Sequence, residues 1–196
     1  MSLTAGLAAQ DLQSVLKEGD LLFQETRSRQ ALALQLATKS RYTHVGMAIW
    51  HANQWQVIEA VQPVRITPLG QFLDRGVNRH VVVKRLLNRE KHLKAAKIRE
   101  LKKYASQFLG RNYDLYFSWD DERIYCTELV WKTWKHVLHI EPGKLQRLQD
   151  FDLSHPLVQQ LMRERYGNQV PLEEPVIAVS TMFEAPQLKL VFQQGR

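Results

Sequence analysis

Residues 124–131 read IYCTELVW and contain Cys126, the only cysteine of the 196-residue chain. Apolar residues recur after it at Val130, Trp134 and Val137, a spacing that predicts an amphipathic helix beginning close to the cysteine. A thiol at the N-terminus of a helix lies at the positive end of the helix dipole, which favours the thiolate. The alternative is a buried structural cysteine, because free cysteine is among the most buried residue types.

A second informative stretch, residues 43–60, predicts a β-hairpin of two apolar strands and a short turn. With residues 50–53 as the turn, the antiparallel register puts His44 directly opposite Glu59. Opposed side chains on one face of a sheet have Cβ atoms about 5 Å apart. We therefore predict that the Glu59 carboxylate accepts the Nδ1–H of His44 and leaves Nε2 free as a base. The alternative is a pair of solvated strand residues.

The remaining pattern predicts one α+β domain. Further strands are expected at residues 21–24, 81–87 and 188–192, and helices at residues 29–38 and 90–109 and in a segment ending near Gly167. No repeat, low-complexity tract or linker divides the chain. A single domain over residues 1–196 is predicted, with a core at about 17–140 and a peripheral C-terminal extension at about 141–196.

Charge and composition limit the classes of partner. The net charge of +7 favours acidic partners, such as anionic lipids or the carboxylates of cell-wall peptides. The basic residues between 84 and 103 alternate with apolar ones as on the solvent face of a helix, without the interleaved aromatic residues of single-strand binders. A nucleic-acid partner is therefore not predicted.

Several other classes of protein are not predicted either. One cysteine cannot form an internal disulfide, and no Cys/His cluster has the spacing of a zinc site, so neither a metal nor another cofactor is expected. No run of 18 apolar residues predicts a transmembrane segment. Residues 1–10 lack the basic region of an intact signal peptide.

Three separated segments carry a family resemblance. They read GDLLFQ at 19–24, YTHVG at 42–46 and LGRNYD at 109–114, and YCTE follows at 125–128. In this order they resemble the circularly permuted branch of the NlpC/P60 papain-like superfamily, in particular the bacterial YiiX-like proteins, over nearly the whole chain. The histidine segment precedes the cysteine helix, which is the permuted order. The resemblance implies an antiparallel sheet packed against helices, with the nucleophile at a helix N-terminus.

The resemblance also implies roles for four residues. Cys126 corresponds to the nucleophile, His44 to the general base and Glu59 to the residue that orients the imidazole. Tyr113 corresponds to a hydroxyl near the oxyanion, beside the backbone N–H of Cys126. The alternative for Tyr113 is a core tyrosine with a satisfied hydroxyl. Cys-Thr-Glu at 126–128 differs from the Cys-Ser-Gly that is common in wall hydrolases.

Three functions fit these observations. The first is a cysteine amidase or peptidase that acts through an acyl-enzyme on small peptides or amino-acid-containing substrates of the cell envelope. The second is a lipid-directed thiol hydrolase or acyltransferase, and the third is a non-catalytic peptide- or lipid-binding module. An apolar channel lined by Trp50, Trp55 or Trp119 favours lipid, and a polar pocket with a charged end favours a peptide. The cell envelope is the expected compartment, with the cytoplasm as the alternative.

Overall fold

The fold was examined in a computed structural model, which describes residues 12–195. The start of the chain, where the sequence predicts no intact signal peptide, lies outside these residues. The strands are β1 (Leu21–Gln24), β2 (His44–His51), β3 (Gln54–Glu59), β4 (Arg65–Pro68), β5 (Val81–Leu86), β6 (Asn112–Tyr113), β7 (Arg123–Ile124), β8 (Gln146–Arg147), β9 (Pro175–Val176) and β10 (Leu188–Gln194). The helices are α1 (Arg29–Thr38), α2 (Leu69–Arg75), α3 (Arg89–His92), α4 (Ala95–Ser106), α5 (Cys126–Leu138), α6 (Pro156–Tyr166) and α7 (Val179–Phe183), with 3₁₀ turns at Val77–Arg79 and Leu148–Asp150.

A six-stranded antiparallel sheet forms the centre, with the strand order β10-β5-β1-β2-β3-β4. Its two faces bury separate apolar clusters. One face packs against α4 and α5, where Trp134 and Leu101 are fully buried, and the other packs against α2 and its Phe72. The predicted α+β class with an antiparallel sheet is confirmed, and α5 begins at the cysteine.

The β2–β3 hairpin has a tighter turn than the sequence predicted. Ala52 and Asn53 form a two-residue turn with φ of 49° and 58°, and His51 pairs with Gln54. Two consecutive positive φ values are typical of a type I′ turn, but alanine is a poor signal for one. The predicted register, with His44 directly opposite Glu59, is therefore wrong by two residues. Because side chains alternate with a period of two, both residues still lie on the same face.

Other predicted elements also differ from the structure. Strand β4 was not predicted, and the single helix expected at 90–109 is interrupted between α3 and α4. Leu93 leaves the helix at the break and buries its side chain, and a Cβ at Gly19 would lie 2.8 Å from its Cδ1. A local hydrophobic pattern does not reveal this long-range contact.

The residues after 140 are not peripheral to the sheet, contrary to the sequence-based expectation. Strand β10 pairs with β5 and forms one edge of the sheet. Helix α6 packs against α1, and two short hydrogen bonds of 2.8 and 2.7 Å join Arg29 to Glu164 across them. Within residues 12–195, no helix is long and apolar enough to cross a membrane.

Candidate active site

Cys126 is the first residue of α5, which packs across β2. The thiol is free and buried. The first N–H groups of a helix have no intrahelical acceptor, so the Cys126 backbone N–H is among the groups that can donate to a ligand at this end. The packing of α5 on β2 brings Cys126 to the first residue of that strand, His44, although the two are far apart in the sequence.

His44 contacts Glu59 through the distal nitrogen of its ring. Nε2 lies 2.6 Å from Glu59 Oε2, so Nε2–H donates to the carboxylate. The prediction that Nδ1 would make this bond is wrong, because Glu59 stands diagonally from His44, opposite Gly46 in the observed register. A Cβ at Gly46 would lie 2.3 Å from Val57 Cγ1, so glycine is required for this packing. Nδ1 is the ring nitrogen left to face Cys126.

Two further residues hold the buried Glu59 carboxylate. Its Oε1 accepts a hydrogen bond of 2.6 Å from Thr67 Oγ1 and an ion pair from Arg75. Burial by itself raises the pKa of Glu59, but the hydrogen bond and charge of His44, with the charge of Arg75, outweigh it and lower the pKa to about 2. Glu59 is therefore a carboxylate that accepts from donors on both of its oxygens.

The electrostatics of the site favour an imidazolium–thiolate pair. Burial acts to lower the pKa of His44, but its hydrogen bonds with Cys126 and Glu59 raise it to about 9. Burial likewise raises the pKa of the Cys126 thiol, whereas the hydrogen bond and positive charge of His44 lower it. The backbone N–H groups of Val45 and Thr127 lower it further, and the pKa lies below its ordinary value. A thiolate is the nucleophilic form of cysteine.

Tyr113 lies beside the thiol and is oriented by two residues from other elements. Burial raises the pKa of its hydroxyl well above the usual value, and the charge and hydrogen bond of Cys126 raise it further, so the hydroxyl keeps its proton. Arg165 Nη2 donates to Gln30 Oε1 at 2.9 Å, and Gln30 Nε2 donates to the Tyr113 oxygen at 3.5 Å. Because a guanidinium can only donate, the Tyr113 oxygen accepts at the end of this chain, and its phenolic hydrogen is left to donate toward Cys126.

The buried side chain of Glu128 holds the first turn of α5 in place. Glu128 Oε2 accepts from the Tyr125 N–H at 3.4 Å, and Oε1 lies 2.7 Å from Lys132 Nζ. Burial raises the pKa of Glu128 to about 8 despite the opposing effect of Lys132. A glutamate at this position bonds back to the start of its own helix, as in a capping box. It therefore fixes the helix end that carries Cys126.

Tyr125 and Thr127, the neighbours of Cys126 in the sequence, both hydrogen-bond to the backbone of Ile177. The Ile177 N–H donates to the Tyr125 hydroxyl at 3.1 Å, and Thr127 Oγ1 donates to the Ile177 carbonyl at 2.6 Å. Both polar groups of the Ile177 backbone are thereby satisfied inside the core. The segment 176–179 becomes a wall of the site as a consequence.

An apolar cleft opens at Cys126. It lies between α1, α6 and the segments 148–153 and 176–179, and its volume is about 800 Å³ when the part open to solvent is included. Its apolar wall consists of Ala33, Leu34, Ala37, Tyr42, Phe117, Tyr125, Leu148, Phe151, Leu153, Val158, Leu161, Met162, Val176, Ile177, Ala178 and Val179. The tryptophans Trp50, Trp55 and Trp119 do not line it. The cleft is thus apolar, but its wall is formed by side chains other than the three tryptophans that the sequence suggested.

A second groove, with polar and apolar side chains in its wall, adjoins the cleft along α1. Its volume is about 1100 Å³ when the part open to solvent is included, and His44 and Arg75 lie in its wall. Its other polar side chains are Thr26, Arg27, Ser28, Gln30, Thr43, Gln62 and Tyr113. Gln30, Leu34 and Tyr113 line both the groove and the cleft and stand between them.

Comparison with known proteins places this site in a family. A model described as permuted papain-like amidase enzyme, YaeF/YiiX, C92 family, matches residues 15–192. The chain belongs to this family. It is 43% identical over 176 residues to the YiiX protein of Escherichia coli K12, covering 90% of this chain and 86% of the relative. The crystal structure of metalloprotein yiiX from Escherichia coli O157:H7 matches with a TM-score of 0.87 and 42% identity, covering 93% of this chain and 99% of that one.

Membership of the C92 family makes the protein a cysteine hydrolase of the amidase type with a permuted papain-like fold. Its relation to the NlpC/P60 enzymes is at the level of the superfamily. The structure brings together all four residues selected from the sequence, Cys126, His44, Glu59 and Tyr113.

Sequence reasoning missed the residues that support these four. Thr67 and Arg75 hold Glu59, and Gln30 and Arg165 orient Tyr113. Each comes from an element distant in the sequence from the side chain it supports, and none lies in a recognisable motif. Only covariation between related sequences carries a signal that finds such pairs.

Proposed function

We propose that the protein hydrolyses an amide through a Cys126 acyl-enzyme, with His44 as acid and base and Glu59 as the positioning residue for His44. The observation that carries this proposal is the position of His44, which hydrogen-bonds to Glu59 on one side and to Cys126 on the other. The imidazole is thereby fixed in a form that can hold a proton next to the thiolate. This is the arrangement that nucleophilic cysteine catalysis requires.

The reaction runs in two stages with one proton carrier. The Cys126 thiolate attacks the amide carbonyl carbon, and the C–N bond breaks as the His44 imidazolium donates its proton to the leaving amine. The products of this stage are a free amine and a thioester on Cys126. Neutral His44 then takes a proton from water, which attacks the thioester and releases a carboxylic acid. The thiolate and the imidazolium are restored together.

The carbonyl oxygen becomes an oxyanion in both stages. The Tyr113 hydroxyl and the backbone N–H of Cys126 are the donors available beside the sulfur. Donors that bind an oxyanion act on the transition state more than on the bound substrate, because the charge develops only during the reaction.

Replacing Tyr113 by phenylalanine tests this role. We expect kcat for amide hydrolysis to fall roughly 100-fold with little change in KM, the range found when one oxyanion donor is removed. Alkylation of Cys126 by iodoacetamide does not pass through an oxyanion, so its rate is expected to stay within about threefold of the wild-type rate. If kcat for hydrolysis and the rate of alkylation fell by the same factor, Tyr113 would instead act by stabilising the thiolate.

The pH dependence of Cys126 alkylation tests the proposed function directly. Because its pKa lies below the ordinary value, the wild-type alkylation rate is expected to stay level to a lower pH than the rate of an ordinary cysteine thiol before it falls. In the variant His44→Gln the imidazolium is absent, so burial raises the thiol pKa and labelling at neutral pH should slow by about 30-fold. His139→Gln, at an exposed histidine, is the matched control. Identical profiles for wild type and His44→Gln would rule out the ion pair.

A lipid-type substrate is favoured as a second candidate by the apolar wall of the cleft. An acyl chain buried there gains roughly 0.8 kcal/mol for each CH₂ removed from water. Such a substrate uses the same nucleophile and the same two stages. Transfer of the acyl group to an acceptor other than water would make the enzyme an acyltransferase.

A resident metal does not fit the residues of this site. The relative from Escherichia coli O157:H7 is described as a metalloprotein. Among residues 12–195 there is no group of three or more His, Cys, Asp or Glu side chains that could hold a metal ion. Both oxygens of Glu59 are engaged by His44, Thr67 and Arg75. The mechanism is therefore derived from side chains alone.

A further inference from the structure

We propose that the cleft and the groove bind the two halves of one substrate, and that the groove is built for an amine half that carries a carboxylate. The proposal rests on the function proposed above and names its substrate class: an amide between an apolar acyl group and an anionic amine, such as an acylated amino acid or peptide. The observation behind it is that Cys126 lines the cleft whereas His44 lines the groove.

The chemistry fixes which half lies on which side. Cys126 keeps the acyl group when the C–N bond breaks, so the acyl group occupies the cavity that the sulfur faces. His44 gives its proton to the amine nitrogen, so the amine half lies on the side of the imidazole. Tyr113, with Gln30 and Leu34, lines both cavities and marks the point at which the amide crosses between them.

The side chains that line the two cavities agree with this assignment of the acyl and amine halves. The wall of the cleft is apolar apart from a few side chains at its edge, of which Arg165 is engaged by Gln30. The groove combines apolar side chains with Arg27, Arg75 and several hydroxyl and amide side chains, and no aspartate or glutamate is among its lining residues. An apolar acyl group and a polar amine half match the two walls.

The charge of the groove selects an anion. Arg75 is committed to Glu59, which it contacts as an ion pair. Arg27 is exposed at the edge of the groove and forms no ion pair with a described residue. Its planar guanidinium matches the two oxygens of a carboxylate, and a charge-assisted pair of this kind is about twice as strong as a neutral hydrogen bond. Arg27 is therefore the specificity-determining residue for the amine half.

The test measures kcat/KM for matched amides. N-decanoylglycine and N-decanoylglycylglycine place a carboxylate at two distances from the scissile bond, and their C-terminal amides lack the charge. We expect the better carboxylate substrate to exceed its amide about tenfold, the value of one charge-assisted contact. Arg27→Gln should remove most of this preference, whereas Arg163→Gln, an exposed arginine of α6 outside the groove, should keep it. N-acetylglycine should be the poorer substrate because its acyl group leaves the cleft empty.

Three outcomes would overturn the proposal: equal rates for carboxylates and amides, an equal loss on both in Arg27→Gln, or equal rates for acetyl and decanoyl substrates. A binding measurement separates this failure from that of the proposed function. Calorimetry with Cys126→Ala and N-decanoylglycine reports the two cavities without catalysis. Tighter binding of the carboxylate than of its amide, abolished by adding Arg27→Gln, supports the two-cavity assignment even for an enzyme that hydrolyses none of these amides, and absence of binding overturns it.

Discussion

Replacing Cys126 by alanine is expected to abolish amide hydrolysis, with kcat/KM reduced by roughly 10,000-fold or more. The reason is that the acyl-enzyme cannot form without the sulfur, while water alone lacks the thiolate's nucleophilicity. Release of amine from a fluorogenic acyl amide measures the loss. Intact-mass analysis provides a second readout, because an acyl adduct should accumulate on the wild-type protein and not on the variant.

Cys126→Ser is the matched control for the shape of the site. A serine hydroxyl replaces the thiol nearly atom for atom, but its proton is far harder to remove, so this variant should be as inactive as alanine. The alanine variant leaves only a small cavity at a buried position, and thermal unfolding monitored by circular dichroism should show that both variants fold. A variant that retains more than about a tenth of the activity, beyond the range expected for loss of a nucleophile, would contradict the proposed mechanism.

Replacing Glu59 by glutamine is the second change expected to have a large effect. The carboxylate accepts from His44 on one oxygen and from Thr67 and Arg75 on the other. A carboxamide has a single oxygen, and the two donors on the Arg75 side are expected to retain it. The NH₂ group would then face His44 Nε2, which must give up its hydrogen to accept.

This reversal puts the ring proton of His44 on Nδ1, the nitrogen that faces Cys126. The imidazole can then no longer take the thiol proton without losing its own hydrogen bond, and the imidazolium–thiolate pair is disfavoured. We expect kcat to fall roughly 10,000-fold, as when the carboxylate of a serine-enzyme triad is replaced by an amide. Thr67→Val, which removes one donor and keeps the carboxylate, is the control and should cost less than about tenfold. Equal losses in the two variants would contradict the tautomer argument.

Glu59→Gln should also destabilise the protein, in a manner that depends on pH. Removing one partner of a buried ion pair costs about 3 kcal/mol or more, although access of Arg75 to water reduces the penalty. The pKa of Glu59 is lowered from 4.5 to about 2, so its contribution to stability is present above pH 4.5 and is lost as the pH falls toward 2. Urea unfolding of wild type and variant should therefore differ most at neutral pH and converge in acid.

The contribution of His44 to stability depends on pH in the opposite direction. Its pKa is raised from 6.5 to about 9, so the stability gained from its two hydrogen bonds is fully present below pH 6.5 and is lost as the pH rises through 9. Together the two groups favour a stability maximum between their titration ranges. The same window holds the His44 imidazolium and the Glu59 carboxylate that adjoin the thiol.

The sequence was sufficient for the nucleophile helix and for the pairing of His44 with Glu59. The apolar spacing after Cys126 places a helix start at the cysteine, because a helix repeats every 3.6 residues whatever it packs against. The hairpin prediction had the wrong turn and yet the right face, because an error of two residues preserves the alternation of side chains. Local periodicity is therefore enough to place Cys126 at a helix start and His44 and Glu59 on one face of the sheet, whereas their catalytic roles came from the family resemblance.

Periodicity could not supply the contacts that cross between distant elements. His44 bonds to Glu59 through Nε2 rather than Nδ1 because the two residues stand diagonally across the hairpin. This register follows from a turn at Ala52, and alanine is not a residue that predicts such a turn. Arg75 and Thr67 hold Glu59 only because β4 pairs with β3, and β4 has no strong strand pattern. Such contacts form only when the chain packs, so a short stretch of sequence cannot predict them.

The sequence by itself determined the class of fold, the position of the cysteine at a helix start and the shared face of His44 and Glu59, since each depends on a local repeat. Only the tertiary structure decided what surrounds them: the apolar cleft between α1 and α6, the adjoining groove with Arg27 and Arg75 in its wall, and the segment 176–179 held by Tyr125 and Thr127. The physical reason is that reactivity requires a few adjacent side chains, whereas substrate choice depends on cavities that exist only once remote segments pack together.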